Sequence, residues 1–292
     1  MNTVILADSS CDLPVEYIKD NNCLEVLGLI LNFKGKDIID DLGETVKNAE
    51  FYDYLRNGGM ASTGQINSYR FHEAFEKYVK DKKSIIYICF SSGLSGTYNS
   101  ALIAKEQILE EYPDADITII DSLCASLGHG LIVYYAVELL KSGSSKDDIV
   151  SFVENNKFRT NHYFTVNDLN HLKRGGRVSA TAAVVGTILD IKPILHVDHE
   201  GHLIPLGKVK GRKKSIKSLL DHMIERVENP EEQIIFISHG DCLHDAEHLS
   251  DLIKKEFTVK NIIINPIGPV IGAHSGPCLL YTSPSPRDTE RS

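Results

Sequence analysis

The chain has 292 residues, of which 42% are hydrophobic and 24% are charged, and its mean hydropathy is -0.14. This length accommodates one large or two medium domains with a sizeable core, and the composition is ordinary for a globular protein. The net charge of -9 argues against a protein that binds nucleic acid through its overall charge.

Cysteine usage and the amino terminus indicate the compartment. The six cysteines include no CxxC pair and show no disulfide-like spacing, which favours reduced thiols. The first residues lack the basic region of a signal peptide and lead directly into a strand-like segment. No apolar run has the length of a membrane span. We therefore expect a cytoplasmic protein without a transmembrane segment.

Strands and helices alternate through the first half of the chain. Apolar runs predict strands at 3–7, 24–33, 84–90 and 117–120. Among the helical patterns that follow them, the clearest are at 71–79, 97–111 and 127–140. The alternation predicts an N-terminal α/β domain built on a doubly wound parallel sheet, in which ligands bind beyond the carboxyl ends of the strands.

A small, polar segment follows the predicted strand at 84–90. Its sequence, Ser91-Ser92-Gly93-Leu94-Ser95-Gly96-Thr97, leads into the predicted helix at 97–111. Such a turn directs backbone N–H groups and hydroxyls outward at a helix N-terminus, which favours a phosphate or carboxylate. It has neither the Gly-Lys-Ser/Thr end of a Walker loop nor the spacing of a nucleophile elbow. The simpler interpretation is a polar loop with a serine helix cap, and the sharper one is an anion site.

The pattern changes near Thr160. The second half has predicted strands at 163–166, 234–238 and 262–264, a hairpin formed by 194–197 and 203–209, and helices at 180–189 and 246–257. We therefore predict an N-terminal domain at 1–160 and a smaller C-terminal α/β domain with a mixed sheet at 161–277. Residues 278–292 are rich in Ser and Pro, and we expect a disordered tail or foreign sequence there.

Two further segments have the composition of ligand-binding loops. Thr63-Gly64-Gln65 is predicted to be a polar loop, in which the threonine is by itself a cap or a turn residue. The Gly/Pro-rich segment 268–277 contains His274. Its composition suits a close approach of the backbone to a ligand, although a lone histidine is more often structural.

Five segments in fixed order carry a family resemblance. They are Ala7-Asp8-Ser9-Ser10-Cys11-Asp12-Leu13, Thr63-Gly64-Gln65, the Ser/Gly segment 91–98, Gly175-Gly176-Arg177-Val178-Ser179, and Gly268-Pro269-Val270-Ile271-Gly272-Ala273-His274. Together they resemble the DegV family of bacterial fatty acid-binding proteins, from residue 3 to about 277. Some members are the lipid-carrying subunit of fatty acid kinase. The resemblance implies two α/β domains, no cofactor, and a lipid carrier rather than a self-sufficient enzyme.

The resemblance also implies how the ligand is held. The family binds the fatty acid carboxylate through a threonine, the last serine of the Ser/Gly segment and a late histidine, which by motif are Thr63, Ser95 and His274. Two hydroxyls and an imidazole can satisfy a carboxylate without a full buried ion pair. An apolar tunnel is expected for the acyl chain, and a kinase subunit is the expected partner. The residues expected at the pocket mouth or at the partner surface are Gly96, Arg177 and Arg212.

Two features depart from the family pattern. Gly64-Gln65-Ile66 stands where Ser-Gln-Pro is frequent, which changes the turn and keeps the Thr63 hydroxyl. Family members also continue past the late histidine into an apolar closing strand, whereas unrelated sequence begins here at Pro277-Cys278. Loss of that strand would leave an exposed sheet edge.

Other functions stay open. His239, His244 and His248 lie in a segment rich in ligand-type side chains, which makes a metal-dependent hydrolase the chief alternative. The basic residues at 208–217 suit an acidic partner or a phosphorylated head group, and equally a solvated helix start. The overall charge disfavours nucleic-acid binding through them, and we expect no nucleic acid as a partner. Transient contact with a membrane surface is left open.

Overall fold

The computed structural model describes residues 2–167, 169–179 and 190–284. Its strands are β1 (Thr3–Asp8), β2 (Leu24–Leu27), β3 (Ile30–Phe33), β4 (Lys36–Ile39), β5 (Ser62–Gly64), β6 (Ser84–Cys89), β7 (Ile117–Asp121), β8 (Tyr163–Thr165), β9 (Ile191–Val197), β10 (Leu203–Lys210), β11 (Ile234–His239), β12 (Asn261–Pro266) and β13 (Leu280–Pro284). Its helices are α1 (Val15–Asp20), α2 (Asn48–Arg56), α3 (Ser68–Lys80), α4 (Thr97–Glu111), α5 (Ser126–Lys141), α6 (Lys146–Asn156), α7 (Asn170–Arg174), α8 (Arg212–Arg226), α9 (Leu243–Glu256) and α10 (Pro269–Ser275).

The first sheet is parallel and has the strand order β2-β1-β6-β7. Successive side chains of a strand point to opposite faces of the sheet, so its apolar runs feed two cores. Ile5 and Ile86 belong to the core that α5 and α6 complete. Val4 and Ile85 belong to the core that α3 and α4 complete on the other face. The predicted doubly wound parallel sheet is confirmed.

The second sheet is mixed and has the strand order β10-β9-β8-β13-β11-β12. Strands β11 and β12 are parallel, and the remaining neighbours are antiparallel. Leu219 of α8 and Leu249 of α9 pack against Ile235 and Ile237 of β11. The predicted mixed sheet and the predicted hairpin, β9 and β10, are confirmed. A domain boundary near residue 160 stays a prediction.

A third sheet, β4-β3-β5, places Thr63 in a strand. Thr63 pairs with Leu31 of β3. The prediction that Thr63 lies in a polar loop is therefore wrong. Strand β5 has only three residues and no apolar alternation, and its strand conformation comes from pairing with β3 rather than from its own sequence.

The Gly/Pro-rich segment that contains His274 is a helix for most of its length, so its prediction as a loop is wrong. Gly268 occupies the N-cap position of α10 and Pro269 its first turn. Proline is favoured there because the first N–H groups of a helix have no intrahelical partner. Ala273 packs the helix against Phe51 and Tyr52 of α2.

The carboxyl-terminal segment contains a strand where a disordered tail is expected. Strand β13 lies inside the six-stranded sheet, where it pairs with β11 on one side and β8 on the other. Leu280 is fully buried. The prediction of disorder is therefore wrong for residues 280–284, and so is that of a lost strand with an exposed edge. Two neighbouring strands supply the backbone hydrogen bonds of β13 almost regardless of its side chains. Residues 285–292 lie outside the described residues.

The predicted helix at 180–189 also lies outside the described residues. Within the described ranges, no helix combines the length and the apolar character that crossing a membrane requires.

Candidate functional site

A cavity lies where the Ser/Gly segment, β5, α10 and the six-stranded sheet approach one another. We call it the central cavity. Its apolar lining consists of Leu29, Phe90, Leu94, Ala125, Phe164, Leu172, Leu203, Val270, Ile271 and Leu279. Its polar lining consists of Thr63, Ser95, Ser126, Arg177, His274 and Ser275. An apolar cavity with a few polar groups is the usual form of a site for a small molecule.

A second depression adjoins the central cavity and shares Thr63, Arg177 and His274 with it. We call it the adjoining cleft. It is also lined by the exposed side chains of Met60 and Arg174, so it opens to the surface. The three shared side chains therefore lie at the boundary between the apolar cavity and the solvent.

Thr63 and His274 are in direct contact at this boundary. Thr63 Oγ1 lies 2.7 Å from His274 Nε2, a hydrogen-bond distance that joins β5 to α10. Burial, with a smaller contribution from the charge of Arg177, lowers the pKa of His274 to about 4. The imidazole is therefore neutral near pH 7, with one ring nitrogen as donor and the other as acceptor.

The other ring nitrogen of His274 packs against Gly175. A Cβ atom at residue 175 would lie 2.3 Å from Nδ1, far inside van der Waals contact. Nδ1 is buried and has no hydrogen-bond partner among the described residues. The lack of a side chain at Gly175 thus allows the backbone after α7 to pack against the imidazole of His274 at Nδ1.

Ser95 is held by its own loop. Its Oγ lies 2.9 Å from Thr97 Oγ1 and accepts a hydrogen bond of 3.3 Å from the backbone N–H of Thr97, at the start of α4. Helix α4 has the predicted bounds, 97–111. Because Ser95 directly precedes the N-cap of α4, it lies at the positive end of the helix dipole. Ser95 also lines the central cavity, and the anion site at this segment stays a prediction.

The neighbouring serines have structural contacts. Ser91 Oγ donates to the carbonyl oxygen of Gly201 at the tip of the β9–β10 hairpin, at 2.9 Å. The backbone N–H of Ser92 donates to the Asp121 carboxylate at 3.1 Å. Of the three serines in the segment, Ser95 is the one that lines the central cavity.

The residues expected at the pocket mouth lie in different places. Arg177 lines the central cavity and donates from Nε to the carbonyl oxygen of Leu94 at 3.0 Å. Gly96 caps α4, and a Cβ atom there would lie 2.2 Å from Gln65 Oε1. Arg212 is not among the lining residues of the central cavity and forms an ion pair with Asp245 at 2.8 Å.

The histidines of the hydrolase alternative do not form a metal site in the described part of the chain. No group of three or more His, Cys, Asp or Glu side chains there has the arrangement to hold a metal ion. His239 Nδ1 lies 3.3 Å from the backbone nitrogen of Cys242, which donates to it. The metal-dependent hydrolase is therefore not supported.

Sequence analysis did not identify several of the residues that line the central cavity. Ser126 lies at the start of α5, shortly after the polar end of β7, and that strand end was the available signal. Phe164, Leu203 and Leu279 come from three separate strands or loops of the second half. Nothing in their local sequence distinguishes them from other core residues.

Comparison with known proteins decides the family. The sequence matches the family described as "Uncharacterised protein, DegV family" over residues 2–280. The chain belongs to the DegV family. A DegV domain-containing protein of Clostridium perfringens is 53% identical over 273 residues, which cover 94% of each chain. The DegV domain-containing protein YteA of Lactococcus lactis is 37% identical over 94% of this chain and 95% of its own length.

Solved structures of DegV proteins share the whole fold. The fatty acid binding protein DegV of Bacillus subtilis superposes with a TM-score of 0.84 at 28% identity, over 98% of this chain and 100% of its own. The fatty acid binding DegV family protein of Streptococcus agalactiae gives 0.86 at 27% identity, over 99% and 100%. Both are named for fatty acid binding.

Proposed function

We propose that this DegV-family protein binds a long-chain fatty acid, with the acyl chain in the central cavity and the carboxylate at Thr63, Ser95 and His274. The observation that carries the proposal is the Thr63–His274 hydrogen bond at the edge of an apolar cavity that Ser95 also lines. The fatty acid binding of two related structures supports it.

The acyl chain and the carboxylate of the fatty acid contribute differently to binding. Burying a chain of about fifteen methylenes is worth roughly 12 kcal/mol before the costs of association, which are several kcal/mol. The acyl chain therefore supplies most of the affinity. A carboxylate needs hydrogen-bond donors when it leaves water, and the hydroxyls of Thr63 and Ser95 and the N-terminus of α4 supply them. The one N–H of the neutral His274 imidazole donates either to the carboxylate or to Thr63 Oγ1, which frees the Thr63 hydroxyl proton for the ligand. The polar residues thus set the orientation.

The position of the carboxylate suits transfer chemistry by a second protein. Thr63 and His274 border the adjoining cleft, which reaches the surface beside Arg174. We propose that a separate fatty acid kinase subunit docks at this cleft. The carboxylate oxygen would attack the terminal phosphorus of ATP, and the products would be an acyl phosphate and ADP. Arg174 and Arg177 would offset the negative charge of the phosphates.

Lipid extraction from the purified protein, followed by mass spectrometry, tests fatty acid binding. We expect a copurified long-chain fatty acid and tight binding of added palmitate. Thr63→Ala combined with Ser95→Ala should weaken palmitate binding at least about tenfold, because two donors to a charged group are lost. Ser92→Ala is the matched control, since this exposed serine is not among the lining residues. The proposal would be refuted if no fatty acid copurified with the protein and added palmitate did not bind to it.

The kinase step has its own test. With ATP and a fatty acid kinase catalytic subunit, the palmitate-loaded protein should yield an acyl phosphate that hydroxylamine traps as a hydroxamate. Arg174→Glu should slow this reaction and leave the palmitate Kd unchanged. Equal rates of acyl phosphate formation with the wild type and with Arg174→Glu would show that the kinase subunit does not use the adjoining cleft.

A further inference from the structure

The first signature segment, residues 7–13, supplies none of the side chains that line the central cavity. It is nevertheless buried, and two of its buried residues are carboxylates: Asp8 is 0% exposed and Asp12 is 4% exposed. A buried carboxylate is unfavourable unless hydrogen bonds compensate its lost hydration. The partners of these two side chains therefore show what the segment does.

Asp8 holds the Ser/Gly segment at its beginning. Its Oδ2 accepts hydrogen bonds from the backbone N–H of Phe90 at 2.9 Å and from the Tyr87 hydroxyl at 3.0 Å. Its Oδ1 accepts from the backbone N–H of Ser10, so both oxygens are fixed. Phe90 lines the central cavity and directly precedes the segment that contains Ser95.

Asp12 holds α10 at its beginning. Its Oδ1 accepts a hydrogen bond of 2.8 Å from the backbone N–H of Gly268, the N-cap of α10. Its Oδ2 accepts one of 2.5 Å from Ser126 Oγ, and its own carbonyl oxygen accepts one of 2.7 Å from Asn265 Nδ2. Because α10 has only seven residues, a displacement of its first turn carries over to His274.

The carboxyl groups of Asp8 and Asp12 sit on one short piece of chain. A 3-10 turn, Ser9–Cys11, separates them, and Asp12 is in the left-handed conformation with φ 51°. Asp tolerates this conformation better than most residues do. Burial raises the pKa of Asp12 to about 8, against the opposing effect of the hydrogen bonds from Ser126 and Gly268. The Asp12 carboxyl group is therefore largely protonated near pH 7, and its Oδ1 accepts the Gly268 N–H as a neutral acceptor.

We infer that Asp8 and Asp12 are positioning residues that set the spacing between Ser95 and His274. This inference rests on the proposed function. Neither carboxylate belongs to the cavity lining, and each acts through the segment whose backbone it holds. The spacing of the donors decides how well a carboxylate is bound relative to an uncharged head group on the same chain. Removing either carboxyl group therefore reduces the preference for the acid by more than it reduces binding of the acyl chain.

The test compares palmitate with hexadecanol, which has the same chain and no carboxylate. Dissociation constants are measured for both ligands on the wild type, Asp12→Asn, Asp8→Asn and the control Asp40→Asn. Asp40 is also buried, at 7% exposure, and accepts hydrogen bonds from the Leu42 backbone and Ser9. We expect Asp12→Asn and Asp8→Asn each to lower the preference for palmitate about tenfold, with hexadecanol binding changed by less than about threefold. Asp40→Asn should leave the preference unchanged.

A purely structural role would weaken both ligands equally and leave their ratio at the wild-type value, and that result would overturn the inference. If only one of Asp8→Asn and Asp12→Asn folds, its ratio of dissociation constants tests the inference. Failure of both variants to fold would also overturn the inference. A wild type with no preference for palmitate, or with no binding at all, would instead refute the proposed function. The two failures are therefore distinguishable.

Discussion

The two segments that supply Ser95 and His274 are built in opposite ways. Residues 84–111 form a strand, a turn and a helix, and Ser95 is held by Thr97, two residues away. Residues 268–284 form α10 and β13, and His274 is held by Thr63, 211 residues away, while Gly268 is held by Asp12, 256 residues away. The side chain that contacts Ser95 directly is local in sequence, whereas the side chains that hold His274 and Gly268 come from distant parts of the chain. We call residues 84–111 the local segment and residues 268–284 the distant segment.

Deletion of β13 should have the largest effect on the distant segment. A chain that ends at Leu279 lacks the strand that joins β8 to β11, together with the buried Leu280. Because the lost backbone pairing lies inside the sheet, we expect an insoluble or unfolded C-terminal part. A chain that ends at Pro284 is the control and should keep the wild-type Tm, measured by circular dichroism. Equal Tm values for both truncations would show that β13 contributes nothing.

Gly175→Ala should disturb His274 and leave Ser95 in place. The backbone at Gly175, with φ -72°, accepts alanine, but the new Cβ atom would lie 2.3 Å from His274 Nδ1. Overpacking of this kind costs about 1–3 kcal/mol, so palmitate binding should weaken between about fivefold and about 150-fold. Gly207→Ala is the control, since its Cβ atom would have no neighbour within 4 Å. The measurement is titration calorimetry, and similar affinities for both variants would contradict the described packing.

Thr63→Val and Ser95→Ala should separate the two segments by their effects on stability. Each removes one hydroxyl donor and should weaken palmitate binding about tenfold. Thr63→Val also leaves His274 Nε2 buried without its partner, so it should lower the free energy of unfolding by about 1–2 kcal/mol. Ser95→Ala should lower it less, because Ser95 is only partly buried and its bond to Thr97 joins residues that are two positions apart. Urea denaturation measures the difference, and a larger loss for Ser95→Ala would reverse the comparison.

Between about pH 7 and about pH 5.5, the titration of His274 should give the smallest effect. Its pKa is about 4 in the folded protein and 6.5 without burial, so the unfolded chain takes up the proton first as the pH falls. The stability of the wild type relative to His274→Gln should therefore decrease between these two values and level off below about pH 4. Between about pH 7 and about pH 5.5 the expected decrease is about 1 kcal/mol. A relative stability that increases on acidification would contradict a buried, neutral imidazole.

Sequence patterns predicted the local segment well and the distant one poorly. The apolar run at 84–90 and the helix at 97–111 are long enough to be read without tertiary information, and the structure has β6 and α4 there. Strands β5 and β13 are three and five residues long, and pairing partners far along the chain determine them. Helix α10 has seven residues, with Gly and Pro at its start, which resembles a loop in sequence. The sequence around His274 did not by itself indicate a binding residue, and only the resemblance to the family singled it out.

A structure of the protein with palmitate bound tests the central claim most directly. The account predicts the acyl chain in the central cavity and the carboxylate oxygens within about 3 Å of Thr63 Oγ1, Ser95 Oγ and a ring nitrogen of His274. A carboxylate bound elsewhere, with Ser95 and His274 left without contact to it, would contradict the account.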